Sequence, residues 1–312
     1  MISCTEFIPS YSELFTYLDE KHGGHEEVER FWAYLFEPTG KGIPLINFAK
    51  KDGVRGCWNY WNGTLTEEAS DCTMLLNEKE GWFYTDMHYC PSKGRLLQLK
   101  DELGIEPYYD YCGHCDYYRA SLEKAGLTWI RNHIDVDRAG CVSVVYDPKV
   151  FKGMMTVDKD TLRVEVRSKE QEYFHRDFHS SLNMGLDYVG RVHGEDALRE
   201  YLTRFTENVY QKIIAAMADD PLGVIEKKIR DTYEMEKASD VLSIENDGKR
   251  LSVRIAYCPA VKHLRETGRE ITPWFSLSTE VVMQTLAEKG GLRFVMESYD
   301  EQSGAAAYYF EK

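Results

Sequence analysis

Hydrophobic and polar positions alternate over several short stretches of the chain. Leu251, Val253 and Ile255 alternate with polar or small neighbours, which is the period of a strand with one buried face. A second stretch with strand character, 241–246, lies just before it, and Asn-Asp-Gly at 246–248 is typical of a hairpin turn. Because consecutive strands joined by a short turn run antiparallel, the pattern predicts an antiparallel hairpin here.

The same succession of patterns occurs in both halves of the chain. In the second half, the hairpin is followed by helical spacing over 260–267 and 273–289 and by strands over 292–299 and 305–310. The first half has its counterparts in strands over 83–89, 127–135 and 141–146. Longer helical patterns precede the second set, over 171–189, 195–218 and 223–237. The predicted class is α+β, with a helical segment plus a ββααββ unit in each half and helices packed on one side of an antiparallel sheet.

Three short sequences recur in the same order with nearly constant spacing. They are Tyr-Cys-Pro at 89–91 and 257–259, Ala-Ser-Asp at 69–71 and 238–240, and Glu-Lys-Ala/Gly-Gly-Leu at 123–127 and 288–292. Such self-similarity predicts an internal repeat. We therefore expect two tandem domains, 1–150 and 151–312, joined near 148–166.

The composition narrows the classes of partner. The 312 residues include 38 Lys plus Arg against 52 Asp plus Glu, a net charge of −14, which opposes nucleic acid and anionic membranes as partners. No stretch approaches the ~20 apolar residues of a membrane-spanning helix, and the start lacks a secretory signal. The eight cysteines are therefore expected to be reduced. We expect a cytoplasmic protein with a small-molecule ligand, and a homo-oligomer is left open.

Cysteines distinguish the two halves. Cys90 has a counterpart in Cys258, whereas Cys112, Cys115 and Cys141 align with residues that carry no thiol. Three hypotheses follow. The first is a zinc or iron site with four sulfur ligands, from Cys90, Cys112, Cys115 and Cys141. The second is a cysteine nucleophile, its thiolate favoured by a helix N-terminus or by His114, with His114 or Asp116 transferring protons. The third is that these cysteines are small buried hydrophobic residues.

The second half has candidates of its own. His175 and His179 are four residues apart, a spacing that places two side chains on one face of a helix. Such a pair suits metal ligation or acid–base catalysis, and Cys258 and Glu280 would complete the site. No glutamate follows His175, which excludes the His-Glu-x-x-His metalloprotease motif. The alternative is a helix face that carries two histidines without a function.

The cysteine pattern of the first half resembles that of the L-2-amino-thiazoline-4-carboxylate hydrolase family. The resemblance rests on Tyr-Cys-Pro at 89–91, Cys112-x-x-Cys115-Asp116, Gly-Leu at 126–127 and Gly-Cys at 140–141, within 82–147, with a degenerate form in 252–311. The pattern is also similar to the four-vinyl-reductase type of small-ligand-binding domain.

The resemblance implies an α+β domain around a small-molecule pocket and the hydrolytic opening of a ring that contains sulfur and nitrogen, at an amidine-like carbon. The carried-over residues are Cys90, Cys115, Asp116 and Cys141. The first functional hypothesis is a hydrolase that acts on an amidine or thiazoline-like compound through thiols of the first domain. The second is a non-catalytic protein that senses a small ligand or binds zinc or iron.

Overall fold

The computed structural model describes residues 1–39 and 41–312, apart from the side chain of His133. It confirms the α+β class, with eleven α-helices and two antiparallel sheets in the described part of the chain. The residues form two compact units. The contiguous unit is Gly23–His175, and the discontinuous unit combines Met1–His22 with Arg176–Lys312.

The contiguous unit is a five-stranded antiparallel sheet with helices packed on it. Its strand order is β3-β4-β2-β1-β5. Helix α3 packs on β1, β2 and β4, and α5 packs on α3 and β3. Apolar side chains of α3, including Cys57 and Trp58, meet Met74 and Phe83 of the sheet in the core. The bounds of the elements are α2 (His25–Leu35), α3 (Leu45–Glu67), β1 (Asp71–Asn77), β2 (Trp82–Tyr89), α4 (Pro91–Leu103), α5 (Tyr118–Lys124), β3 (Thr128–Asp135), β4 (Gly140–Tyr146) and β5 (Leu162–Val166).

The discontinuous unit is a four-stranded antiparallel sheet, in the order β6-β7-β9-β8, with a set of helices. Helix α9 packs on β6 and β7, and α11 packs on β8 and α7. Helix α1 packs on α6 and α7, where the Tyr201 hydroxyl donates to the Ser10 carbonyl at 2.8 Å. The bounds are α1 (Phe7–His22), α6 (Phe178–Val192), α7 (Glu195–Val209), α8 (Gln211–Ala216), α9 (Pro221–Met235), β6 (Leu242–Asn246), β7 (Arg250–Ile255), α10 (Pro259–Glu266), α11 (Leu277–Lys289), β8 (Arg293–Tyr299) and β9 (Ala306–Glu311).

The two sheets share one strand connectivity. Four strands of the first follow the order β3-β4-β2-β1, and the second, taken from its other edge, follows β8-β9-β7-β6. The ββααββ succession is present in both units. In both, the Cys-Pro dipeptide begins a helix: Cys90 is the N-cap of α4 and Cys258 the N-cap of α10. The origin of the units by duplication stays a prediction.

The unit boundary differs from the predicted one at 150. Residues 162–166 were placed at the join between domains, but they form β5, which pairs with β1 over five residue pairs. The contiguous unit therefore extends to His175. Residues 1–22 belong to the other unit, because α1 packs on α6 and α7.

The predicted helix over 171–189 begins later, and this corrects the hypothesis of a histidine pair on one helix face. Helix α6 begins at Phe178 with Asp177 as its N-cap, so His179 is helical and His175 lies in the segment before the helix. The Asp177 side chain accepts the Ser180 hydroxyl at 2.8 Å and makes no cap hydrogen bond to the backbone of the first turn. The i, i+4 spacing therefore does not place these two rings together.

In residues 1–39 and 41–312, no helix combines the length and the apolar character needed to cross a bilayer.

Candidate functional site

A thiol and an imidazole meet in the short 3-10 helix Tyr111–Tyr117, just before α5. The Cys115 Sγ lies 3.5 Å from the Nε2 atom of His114. The Nδ1–H of His114 donates to the Tyr111 carbonyl, which leaves Nε2 as the acceptor that faces the sulfur. Both side chains are half-buried. A thiol, an imidazole and a carbonyl that orients the ring thus lie in the order that nucleophilic thiol catalysis uses.

A buried arginine lies beside this pair. The Arg131 side chain, only 6% exposed, donates to the Cys112 carbonyl at 2.7 Å and to the Asp116 carboxylate at 2.9 Å. Burial raises the pKa of Cys115, and the positive charge of Arg131 opposes that rise. Arg131 pairs with Ser143 across β3 and β4, so it shares a sheet face with Cys141.

The resting site is electrically neutral at the thiol and the imidazole. Burial raises the pKa of Cys115 to about 11, with Arg131 opposing and Asp116 adding to the rise. Burial lowers the pKa of His114 to about 4. Near pH 7 the pair is therefore a thiol and a neutral imidazole, so the thiolate expected from the sequence is not the resting form.

The four cysteines proposed as metal ligands lie near one another. The charge of Cys115 raises the pKa of Cys90, Cys112 and Cys141, after burial as the main cause. However, no three of these four sulfur atoms lie within 4.8 Å of one another. Tetrahedral zinc with Zn–S bonds of about 2.3 Å requires S–S separations near ~3.8 Å. The structure brings the thiols together around Cys115 but does not arrange them as a ligand set.

Cys90 and Cys258 have a shared structural role. Burial raises the pKa of both thiols, and backbone N–H groups at the start of α4 and of α10 oppose the rise. Neither sulfur makes a side-chain cap hydrogen bond. The backbone N–H of Cys90 donates to the Ala139 carbonyl at 2.6 Å, and that of Cys258 to the Ser303 carbonyl at 2.9 Å. Proline suits the first position of a helix, which explains why a Cys-Pro dipeptide begins a helix in both units.

A second polar group lies beside the thiol site. Burial raises the pKa of Glu68, and the charges of His175, Arg95 and His114 oppose the rise. His175 is 8% exposed and its Nδ1 lies 2.7 Å from the Glu67 carboxylate. Glu68, a residue that the sequence did not single out, therefore lies close to His175, Arg95 and His114.

A separate cluster lies in the discontinuous unit, where Cys4, His179 and Glu236 meet. The Nε2–H of His179 donates to the Glu236 carboxylate at 3.0 Å, and the backbone N–H of Cys4 donates to the other carboxylate oxygen at 2.6 Å. One ligand atom from each of the three residues lies within 4.8 Å of the others, and all three residues are buried. Burial raises the pKa of Glu236, but His179 and the Cys4 N–H outweigh it, so the net shift is downward.

The remaining predicted site residues have other contacts. Glu280 accepts a hydrogen bond from Arg199 at 3.1 Å. The Cys258 thiol is 3.2 Å from the Met1 sulfur.

Comparison with known proteins does not add to these assignments. Protein-family models, curated proteins and solved structures give no match.

Sequence reasoning missed Arg131 and Glu236, although each carried a signal. Arg131 stands two positions after the buried Trp129, so strand alternation directs its charged side chain inward. Glu236 is the C-cap of α9, where a carboxylate opposes the helix dipole. A charge in an unfavourable position indicates a compensating partner.

Proposed function

We propose that the protein is a cytoplasmic, cysteine-dependent hydrolase of a small compound that contains nitrogen and sulfur, of the amidine or thiazoline type. The observation that carries this proposal is the 3.5 Å contact between the Cys115 thiol and His114, whose ring is fixed by the Tyr111 carbonyl. The substrate class comes from the family resemblance of the cysteine motif.

The first half-reaction uses His114 as the general base. As the Cys115 sulfur forms a bond to the amidine-like carbon, its proton passes to Nε2 of His114, and the C=N electron pair moves to nitrogen, which takes that proton. The C=N bond then re-forms as a ring bond from carbon to sulfur or nitrogen breaks. The nitrogen that re-forms the C=N bond gives up one proton, and His114 carries that proton to the leaving atom.

The second half-reaction regenerates the thiol. Water adds to the carbon of the thioimidate while His114 accepts one proton, and the proton returns to the Cys115 sulfur as the C–S bond to the enzyme breaks. The net reaction consumes one water molecule and leaves the enzyme unchanged.

Charged neighbours fit this chemistry. Arg131 would stabilise the negative charge that develops on the sulfur, since its charge opposes the rise in the pKa of Cys115 that burial causes. Glu68 lies near enough for its charge to raise the pKa of Cys115, and its carboxylate would attract a cationic amidine.

The test is hydrolysis of 2-amino-thiazoline-4-carboxylate by the full chain, followed by the loss of ring absorbance. We expect Cys115→Ala to abolish turnover and His114→Gln to reduce it about 10²–10⁴-fold, the usual contribution of a general base. His88→Gln is the matched control, since His88 lies on β2 in the same unit with its side chain 37% exposed.

Two outcomes would contradict the proposal. Turnover by Cys115→Ala at the wild-type rate would exclude this thiol as the nucleophile. Absence of turnover by the wild-type chain on this compound and on a panel of simple amidines and thiazolines would exclude the substrate class. A third outcome would favour the metal-binding alternative: an equal loss of turnover in Cys112→Ser and in Cys115→Ser that added zinc or iron reverses.

A further inference from the structure

We propose that Cys4, His179 and Glu236 form a binding site for a divalent transition-metal ion, with zinc as the preferred ion. The site belongs to the discontinuous unit and does not depend on the proposed hydrolase. It also differs from the sulfur-only site predicted from the sequence, because its donors are one sulfur, one nitrogen and one oxygen.

The separations suit a metal ion after small adjustments. With Zn–S near 2.3 Å and Zn–N and Zn–O near 2.1 Å, tetrahedral ligand atoms lie about 3.4–3.6 Å apart. The three donor atoms here already lie within 4.8 Å of one another, with 3.0 Å between the His179 nitrogen and the Glu236 oxygen. An ion between them would replace the shared proton of that hydrogen bond.

The donor set selects the ion. Thiolate and imidazole ligands favour zinc and its neighbours in the first transition row over magnesium and calcium, which prefer oxygen ligands. Three protein ligands leave a fourth tetrahedral position for water.

The surroundings have features of a prepared site. The Glu236 oxygen that does not face His179 accepts the Cys4 N–H, so the carboxylate is already oriented, as metal-binding carboxylates usually are. His179 is 1% exposed, and its Nδ1 atom is buried without a hydrogen-bond partner among the described residues. A buried ring nitrogen without a partner costs free energy, so the chain itself leaves one polar atom of this cluster unsatisfied.

The three ligands come from separate elements. Cys4 begins the 3-10 helix Cys4–Glu6 that precedes α1, His179 lies in the first turn of α6, and Glu236 caps the end of α9. An ion bound to all three would join these elements within the unit. We therefore expect the ion to stabilise the discontinuous unit.

The experiment uses the full chain, stripped with a chelator and titrated with Co²⁺ and then Zn²⁺. We expect one ion per chain, a thiolate-to-cobalt charge-transfer band in the near ultraviolet, and loss of that band in Cys4→Ser. Glu236→Gln and His179→Gln should each weaken zinc binding at least 10-fold, since even ligand-supporting residues contribute about 10–100-fold. Cys57→Ser is the control, a buried cysteine of the core of the contiguous unit.

A measurement on the wild-type chain covers the case in which a variant fails to fold. X-ray absorption at the zinc edge should show one sulfur among nitrogen and oxygen ligands. Four sulfur ligands, no sulfur ligand, no bound ion, or a cobalt band that Cys4→Ser leaves unchanged would each overturn the proposal. Loss of the ion in Cys112→Ser and Cys115→Ser, but not in Cys4→Ser, would assign it to the other unit and would also overturn it.

Discussion

At the scale of residues, the thiol and the imidazole of the candidate site work as a neutral pair. The Tyr111 carbonyl fixes the ring of His114, and burial keeps both His114 and Cys115 uncharged near neutral pH. Many cysteine enzymes instead hold a thiolate–imidazolium ion pair at rest. Here the proton would leave the sulfur only as the substrate carbon approaches, as in serine hydrolases.

This neutral state predicts the pH dependence of alkylation. Because only the thiolate reacts, and the pKa of Cys115 is about 11, we expect its rate with iodoacetamide to be low at pH 7 and to rise about tenfold per pH unit up to about 11. Mass spectrometry of the peptide that contains Cys115 measures the rate. The alkylation rate of glutathione in the same reaction should stop rising at a lower pH, since an ordinary thiol has a pKa of about 8.5. A rate for Cys115 that is constant from pH 6 to 9 would indicate an ion pair and contradict this account.

Among the helices, two glycines differ in how closely other atoms approach them, so the same substitution tests packing at one and helix propensity at the other. A Cβ atom at Gly190 in α6 would lie 2.4 Å from the ring of Trp274, whereas one at Gly63 in α3 would meet nothing within 4 Å. Alanine favours helix over glycine by about 1 kcal/mol. The rigid indole ring cannot move aside as a flexible chain end does, so packing should prevail at Gly190.

We therefore expect opposite effects of the same substitution. Gly63→Ala should raise the free energy of unfolding by about 0.4–1 kcal/mol, and Gly190→Ala should lower it by about 1–3 kcal/mol, the usual cost of overpacking. Urea denaturation followed by circular dichroism measures both. Stabilisation of the chain by Gly190→Ala would show that Trp274 does not pack on the helix as described.

Strands with a clear local pattern were predicted well, whereas the start of α6 and the strand set by a distant partner were not. The hairpin of β6 and β7 was predicted because alternation and Asn-Asp-Gly lie within a few residues of each other. Strand β5 was missed because its place depends on the free edge of β1, about 90 residues earlier in the chain. The same limit applies to the sites: Cys115 and His114 are neighbours in sequence, but Glu236 meets Cys4 only through the fold.

At the scale of the whole molecule, the residues after β4 decide where the contiguous unit ends. Strand β5 covers one edge of the sheet, the Phe174 N–H donates to the Glu67 carbonyl at 2.9 Å, and the Arg95 guanidinium lies 3.3 Å from the centre of the Tyr173 ring. Each contact ties the segment 151–175 back to the unit. A domain that stopped at 150 would lose all of them and expose the edge of β1.

Fragments of the chain test this boundary. We expect 23–175, expressed alone, to unfold cooperatively in urea and to keep the circular dichroism of an α+β protein, because it is one continuous compact segment with its own core. The shorter fragment 23–150 should unfold at lower urea or aggregate, because the unpaired edge of β1 is free to pair with other chains. Equal midpoints for the two fragments would show that β5 and its neighbours add nothing, and the boundary predicted at 150 would then be the better description.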